Sequence, residues 1–312
     1  MNNPEQSFGK DLLGLKDLSA TQIEKILDTA KTMKFILSQK NKKTGHLVGK
    51  SIVTLFYENS TRTRLSFELA AKYMSASASG VSSTNSSVLK GENLIDTAKT
   101  IDAMGTDVIV VRHPMSGAAN LIAKSVNAGV INAGDGMNEH PTQALLDMFT
   151  ITEKKGRVKG LRVAIVGDAL HSRVVRSNIW GLTKLGAEVS IGAPATLLPP
   201  DIAKMGAKVY NSVQEAIVDA DVVMALRMQN ERQKSGLYPT AAEYAHFFGI
   251  NENRIKLAKN DALIMHPGPI NRGLELSSSV ADCENSVINE QVTNGVAIRM
   301  AVLYLYTRGR EV

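Results

Sequence analysis

The sequence predicts an α/β protein with two domains, each containing an open, mostly parallel sheet flanked by helices. Two observations lead to this fold class. Short apolar runs rich in β-branched residues, typical of buried parallel strands, alternate along the chain with stretches of helical apolar spacing. The chain also has 312 residues, a length that suits two domains of about 150 residues better than a single core.

The first half of the chain opens with a predicted helix. Ser19 or Thr21 serves as its cap, and an apolar stripe follows from Ile23 to Ala30. Strands are predicted at 51–56, 107–112 and 130–134, and helices at 64–74, 94–104 and 118–127. Because strands and helices alternate, we expect right-handed βαβ units. The small polar residues of 75–93 indicate a further strand followed by a loop.

The alternation restarts in the second half of the chain. Predicted strands cover 161–168, 188–194, 221–227 and 261–269. A helix over 144–152 is expected to connect the two halves, and apolar spacing from Val292 to Leu303 predicts a closing helix within 286–306.

Composition places the chain among soluble globular proteins. Hydrophobic residues make up 44% and charged residues 21%, and no apolar run approaches the roughly 18 to 20 residues that span a bilayer. The first residues lack the basic and then apolar order of a signal peptide. Cys283 is the single cysteine, which excludes an internal disulfide. We therefore expect a reduced, cytoplasmic protein without membrane association.

The net charge of +6 does not indicate nucleic-acid binding. Basic residues are mostly interleaved with acidic ones, and only 31–43 is locally basic, as the solvated face of an amphipathic helix. A small anionic substrate explains the excess charge equally well.

Three further patterns argue against a nucleotide cofactor or a metal. The stretch TGHLVGKS (44–51) lacks the first glycine of a phosphate-binding loop and precedes its strand, and IVGDALHS (165–172) lacks the later glycines of a dinucleotide fingerprint. The six histidines show no metal-ligand spacing. We expect neither cofactor nor metal.

Polar clusters follow nearly every predicted strand. They read ENSTRTR, RHP, GDGMNEHPTQ, GDALHSR, RMQNER and HPGPINRG. Open parallel sheets bind ligands beyond the carboxyl ends of their strands, so we expect the functional site in these loops.

The first cluster predicts a phosphate site at a helix start. Such a start offers N–H groups and partial positive charge, to which Ser60, Thr61 and Thr63 add hydroxyl donors and Arg62 a charged one. Arg64, two residues on, lies on roughly the opposite side of the helix. The alternative for Ser60 is a simple helix cap.

Four motifs together resemble the carbamoyltransferase family: ENSTRTRLSFE (58–68), RHP (112–114), HPTQ (140–143) and HPGP (266–269). The resemblance implies a carbamoyl phosphate-binding domain over 1–143 with 290–312, to which the last helix returns. It implies a domain for the second substrate, aspartate, over 144–289.

The resemblance also assigns the carbamoyl phosphate site. It names as binding residues Ser60, Thr61, Arg62, Thr63, Arg112, His140, Gln143, Gly268 and Pro269. Of these, Arg62, Thr63, Arg112 and His140 are the implied catalytic residues. Arg112 bridges the phosphate and the carbonyl oxygen, His140 donates to the same oxygen, and Gln143 holds the carbamoyl amide near the carbonyls of Pro267 and Gly268. The Gly268–Pro269 bond is expected to be cis, and His266 is expected to be structural.

The acceptor is indicated by the second half of the chain. LRMQNER (226–232) and HPGPINRGLE (266–275) are similar to the aspartate-using branch of the family, which acts early in pyrimidine synthesis. Arg227 and Gln229 would bind aspartate, and Arg173 supplies a second arginine for its two carboxylates. Two alternatives stay open: carbamoylation of ornithine or an acylated ornithine, and a subunit that binds carbamoyl phosphate without catalysis.

A homotrimer with shared active sites is also implied. Ser86 and Lys90 match a loop that reaches into a neighbouring subunit, where Lys90 also contacts aspartate. Glu58 matches a glutamate that orients Arg173 and Arg232 when the domains close. Regulatory chains or a dihydroorotase are possible further partners in this family.

Overall fold

The computed structural model describes residues 8–82, 92–229 and 240–308. The chain divides into two compact units, one formed by Met1–Leu146 with Thr293–Val312 and the other by Asp147–Val292. Helices α5 (Pro141–Lys155) and α11 (Ile288–Arg308) contain the positions at which the chain passes from one unit to the other.

The first unit contains a four-stranded sheet with the order β2-β1-β3-β4. Its strands are β1 (Ser51–Phe56), β2 (Ser77–Ser82), β3 (Val108–His113) and β4 (Gly129–Asp135). Its helices, besides parts of α5 and α11, are α1 (Ala20–Ser38), α2 (Thr61–Tyr73), α3 (Leu94–Ala103) and α4 (Ala118–Ala123). In the register of β1 and β3, Phe56 lies beside Arg112.

The second unit contains a five-stranded sheet with the order β7-β6-β5-β8-β9. Its strands are β5 (Arg162–Val166), β6 (Glu188–Gly192), β7 (Ala207–Tyr210), β8 (Val222–Ala225) and β9 (Leu263–Met265). Its α-helices are α6 (Arg173–Lys184), α7 (Val213–Ile217), α8 (Ala241–Phe248), α9 (Glu252–Ile255) and α10 (Ser278–Ala281).

The predicted fold class is confirmed, since the strands within each described sheet pair in parallel. The sequence did not predict β7. This strand has four residues at the edge of its sheet and buries only Ala207, so it lacks the apolar run that marks the inner strands.

Apolar side chains on the strands hold helices against each sheet. In the first unit, Val53, Ile109 and Val111 pack in one buried cluster with Ile101 of α3 and Ile122 of α4. Each such side chain contributes about 1.5–3 kcal/mol when fully buried. These clusters fix the strands, so the loops after their carboxyl ends start from rigid positions. Among the described residues, no helix is long and apolar enough to cross a membrane.

Candidate active site

Helix α2 begins at the predicted phosphate site. Ser60 is its N-cap residue, but the Ser60 side chain makes no capping hydrogen bond to the helix backbone. The Ser60 hydroxyl is therefore not used to cap the helix backbone in this structure. No acidic residue lies in the first turn, and Thr61 and Arg62 are exposed there. The helix start combines exposed donors with the positive end of the helix dipole, the arrangement that binds anions.

The residues that follow separate into an inner and an outer side. Thr63 is buried, whereas Arg64 is exposed on the helix surface. The Arg64 Nε atom lies 3.6 Å from Oε1 of Glu68, one turn further on. Arg64 thus has a local partner on the helix, as expected of a residue outside the phosphate site.

Arg112 is held from two sides at the carboxyl end of β3. Its Nη2 atom donates to Oε1 of Glu58 at 2.7 Å, and its Nη1 atom donates to the carbonyl oxygen of Ala133 in β4 at 3.3 Å. The Arg112 side chain is 12% exposed. A charge-assisted contact and a backbone contact together orient the guanidinium group within the first unit. The structure therefore brings Glu58 and Arg112 into direct contact.

His113, next to Arg112, is buried against the ring of Tyr57, with 5.0 Å between the ring centroids. The Met115 N–H donates to its Nδ1 atom at 3.0 Å, so Nδ1 is an acceptor and the proton of the neutral ring is on Nε2. Burial lowers the pKa of His113 below its ordinary value of 6.5, although the nearby carboxylates of Asp135 and Glu58 oppose this effect.

This lowered pKa predicts a loss of stability in acid. The ordinary pKa of 6.5 applies to the unfolded chain, and the pKa in the folded protein is lower. Between these two values the unfolded chain binds more protons than the folded one. The contribution of His113 to the free energy of unfolding is therefore complete above about pH 6.5 and falls as the pH decreases. The slope reaches at most about 1.4 kcal/mol per pH unit. Urea unfolding of the wild type and of His113→Asn, from about pH 8 to about pH 5, measures it. A difference between the two proteins that stays constant with pH would contradict the prediction.

His140 and Gln143 lie at the start of α5. His140 immediately precedes Pro141, a favoured residue at the first position of a helix. The backbone N–H groups of Gln143 and Ala144 donate to the His140 carbonyl at 3.0 and 3.3 Å. Both predicted side chains are buried, as expected of groups that act in a water-poor site. They follow the loop after β4, in the same unit as Arg112.

Asp168 joins two segments that carry residues predicted to bind aspartate. It lies after β5, is fully buried, and accepts the backbone N–H of His171 at 3.1 Å and that of Gln229 at 3.4 Å. The His171 Nδ1 atom lies 2.9 Å from the same carboxylate. Arg173 begins α6 two residues beyond His171. Asp168 therefore links the loop before Arg173 to the segment after β8.

That segment carries Arg227 between two buried neighbours. The Leu226 N–H donates to the Val166 carbonyl at 2.7 Å, and Met228 packs with Tyr244 in a small apolar cluster. Arg227 itself is half-buried. The backbone on both sides of this arginine is thus anchored within the second unit.

The HPGP segment has the expected cis bond between Gly268 and Pro269. Gly268 has φ of +68°, a value that residues with a Cβ atom rarely adopt. Its N–H donates to Nδ1 of His266 at 2.8 Å, and Nε2 of that ring lies 3.3 Å from Oε1 of Glu275. The buried His266 ring thus shapes the turn.

Asp135 and Asp168 are not among the residues predicted to form the site. Both are fully buried and both accept backbone N–H groups from two loops. Each follows a glycine with positive φ at the end of a strand, Gly134 in one unit and Gly167 in the other. This repeated Gly-Asp pair was the available signal.

Other predicted residues cannot be placed. Ser86, Lys90 and Arg232 lie outside the described residues. Among the residues that the structure describes, no group of three or more His, Cys, Asp or Glu side chains is arranged to hold a metal ion.

Two family models match consecutive parts of the chain. The model for the carbamoyl phosphate-binding domain of aspartate/ornithine carbamoyltransferases matches residues 10–153. The model for the Asp/Orn-binding domain of the same family matches residues 159–306.

Individual relatives agree with these matches. The chain is 71% identical to the aspartate carbamoyltransferase catalytic subunit of Ruminiclostridium cellulolyticum, over 96% of both chains. Among solved structures, ornithine carbamoyltransferase from Pyrococcus furiosus is 32% identical, with a TM-score of 0.86 over 96% of this chain and 97% of that one. Aspartate transcarbamoylase from Trypanosoma cruzi, in complex with carbamoyl phosphate and aspartate, is 30% identical, with a TM-score of 0.85 over 97% and 98%. The chain belongs to the aspartate/ornithine carbamoyltransferase family.

Proposed function

We propose that this chain transfers the carbamoyl group of carbamoyl phosphate to the amine of L-aspartate, giving N-carbamoyl-L-aspartate and phosphate. The observation that carries the proposal is the 71% identity, over nearly the whole length of both chains, to a relative named aspartate carbamoyltransferase catalytic subunit. The reaction is an early step of pyrimidine synthesis.

The start of α2 binds the phosphate group of carbamoyl phosphate. Ser60 and Thr61 donate hydroxyl hydrogen bonds, Arg62 adds a charged contact, and Thr63 reaches from the phosphate toward the carbonyl group. The exposed first turn without acidic residues supports this assignment, because a negative side chain there would compete with the substrate.

Charge on the carbonyl oxygen is stabilised by Arg112 and His140. The aspartate amine attacks the carbonyl carbon, a C–N bond forms, and the oxygen becomes negative. The C–O bond to phosphate then breaks, and the leaving phosphate accepts the amine proton, so no side-chain base is required. Preorganised donors of this kind contribute a few kcal/mol each to the transition state. The contacts that orient Arg112 support its assignment.

The carbamoyl amide is held by Gln143 and by the carbonyls of Pro267 and Gly268, next to Pro269. Aspartate is bound through its two carboxylates by Arg173 and Arg227, with Gln229 as a further contact. The link from Asp168 to the Gln229 backbone supports a common role for these residues.

Several features stay predictions from the family resemblance. They are a homotrimer with shared sites, the contribution of Ser86 and Lys90 from a neighbouring subunit, and the role of Glu58 and Arg232 in domain closure. A cytoplasmic location is also a prediction. The single, exposed cysteine is consistent with it, because cytoplasmic proteins keep their thiols reduced. The mass of the native particle, alone and in extract, tests the trimer and any larger assembly with regulatory chains or a dihydroorotase.

Turnover with different acceptors tests the proposed function. Phosphate release from carbamoyl phosphate is measured with L-aspartate, L-ornithine and an N-acylated ornithine, each in a separate reaction. We expect phosphate release with L-aspartate and not with either ornithine compound. Activity only with an ornithine compound would show that ornithine or its acyl derivative is the acceptor. No activity with any of the three would support a non-catalytic binding subunit.

A matched pair of variants tests the phosphate site. Arg62→Ala is expected to raise the KM for carbamoyl phosphate by about 10- to 100-fold, because a hydrogen bond to a charged group contributes about 1.5–3 kcal/mol. Arg64→Ala, two residues on, removes an exposed arginine paired with Glu68 and is expected to change this KM by less than about 3-fold. Equal effects of the two substitutions would contradict the assignment of Arg62.

A further inference from the structure

Asp135 is a buried carboxylate to which the reaction assigns no chemical role. It is the last residue of β4 and is fully buried. Burial of a carboxylate is unfavourable unless hydrogen bonds replace its hydration. The donors around Asp135 therefore show what the residue does.

Both carboxylate oxygens of Asp135 accept hydrogen bonds from neutral amide groups. Oδ1 accepts from the Asn132 side chain at 2.8 Å and from the Glu139 backbone N–H at 3.2 Å. Oδ2 accepts the backbone N–H of Gly117 at 2.7 Å. The side-chain amide of Asn138 lies 3.1 to 3.2 Å from both oxygens. Asn132 lies within β4 itself, and the other donors come from two loops, one after β3 and one after β4.

The same two loops touch a second time, beside Asp135. Gly136 has φ of +46°, and a Cβ atom at this position would lie 2.4 Å from the Ser116 backbone nitrogen. The Gly136 N–H donates to the His113 carbonyl at 2.9 Å, and the Met137 N–H donates to the Ser116 hydroxyl at 3.1 Å. The close approach shows that the two loops are packed as one body.

Each loop is continuous with one of the two donors to the carbonyl oxygen. The loop after β3 begins directly after Arg112 and His113, and the loop after β4 ends at His140. The residue before His140, Glu139, is held in addition by the backbone N–H groups of Leu15 and Lys16, at 2.7 and 3.3 Å. The position of His140 relative to Arg112 therefore depends on how these loops are joined.

We propose that Asp135 is a positioning residue that fixes His140 relative to Arg112, so that both donors meet the same carbonyl oxygen. The inference rests on the proposed function, because only the reaction gives these two side chains a common target. Donors must lie within a few tenths of an ångström of the reacting oxygen, and a displacement of about 1 Å can cost about 10²-fold in rate.

Asp135→Asn is the informative substitution. The amide keeps the shape of the carboxylate but directs an NH2 group at donors that need an acceptor, so the two loops are pushed apart. We expect kcat to fall by about 10- to 100-fold, with less than about a 3-fold change in the KM for carbamoyl phosphate. Asn138→Ala removes one donor and keeps the backbone contacts. Asn138→Ala is expected to lower kcat by a smaller factor. It provides the test of the inference if the Asp135→Asn variant does not fold.

Asp107→Asn is the matched control. The Asp107 carboxylate also accepts a backbone N–H, that of Ser51 at 2.8 Å, but it lies beside the start of β1, at the opposite ends of the strands. Its substitution is expected to leave kcat within about 3-fold of the wild type.

A double-mutant cycle separates positioning from a general structural role. If Asp135 acts through His140, adding Asp135→Asn to His140→Ala lowers kcat by less than about 3-fold further, because the group to be positioned is already absent. For a merely structural role, the two losses multiply. If the wild type is active and the losses of kcat in the two single variants multiply in the double variant, this inference alone is overturned. If the wild type does not transfer the carbamoyl group to aspartate, the proposed function and the inference are overturned together.

Discussion

Replacement of Arg112 by alanine is expected to lower kcat by about 10²–10³-fold, the largest loss that we predict for a single side chain. The guanidinium group is fixed by Glu58 at 2.7 Å and by the Ala133 carbonyl at 3.3 Å, so it does not have to be ordered when charge develops on the carbonyl oxygen. Loss of such a preorganised donor acts on the transition state more than on substrate binding. Steady-state kinetics with carbamoyl phosphate and aspartate measure both effects.

Two comparisons make this prediction specific. Arg112→Lys keeps the positive charge but not the planar pair of donors, so we expect an intermediate kcat. Thermal unfolding of both variants separates a loss of catalysis from a loss of folded protein. If Arg112→Ala changed only the KM for carbamoyl phosphate and kept kcat, Arg112 would bind the phosphate without stabilising the carbonyl oxygen.

Replacement of Arg227 by alanine is expected to raise the KM for aspartate by about 30-fold or more, since loss of one partner of a desolvated, hydrogen-bonded charge pair costs about 2–5 kcal/mol. Arg227 is half-buried, between Leu226 and Met228, which are fully buried and anchor the backbone. Substitution should therefore remove the charge without moving the loop. The KM for carbamoyl phosphate, measured at saturating aspartate, should change much less.

Arg162→Ala provides the control for Arg227. Arg162 lies in the same unit but at the start of β5, is exposed, and pairs with Asp219 at 3.4 Å. Its substitution is expected to leave the KM for aspartate unchanged within about 2-fold. An Arg227→Ala enzyme with unaltered activity toward aspartate would show that another residue recognises the acceptor.

Much of the fold follows from local sequence patterns. Four of the inner strands, β1, β3, β5 and β8, are buried apolar runs, which periodicity reveals directly. The edge strand β7 was not predicted, because only Ala207 among its four residues is buried. Its pairing with β6 is a tertiary contact that no window of sequence contains.

The site was predictable where one segment carries several donors, and less so where one residue joins two segments. The hydroxyls and arginine of 60–63 form a pattern at a single helix start. Asp135 and Asp168 each look like an ordinary aspartate in a loop, and their roles appear only when Gly117 or Gln229, distant in sequence, donates to them. Sequence patterns therefore indicate the residues that contact substrate more readily than the residues that hold these in position.

A competition between acceptors tests the proposed function most directly. Carbamoyl phosphate labelled at its carbonyl carbon is supplied to the wild-type protein with equal concentrations of L-aspartate and L-ornithine, and the labelled products are followed by NMR. We expect the label in N-carbamoyl-L-aspartate, with phosphate released in equal amount. Label found mainly in carbamoylated ornithine, or in no amino acid at all, would contradict the proposed function.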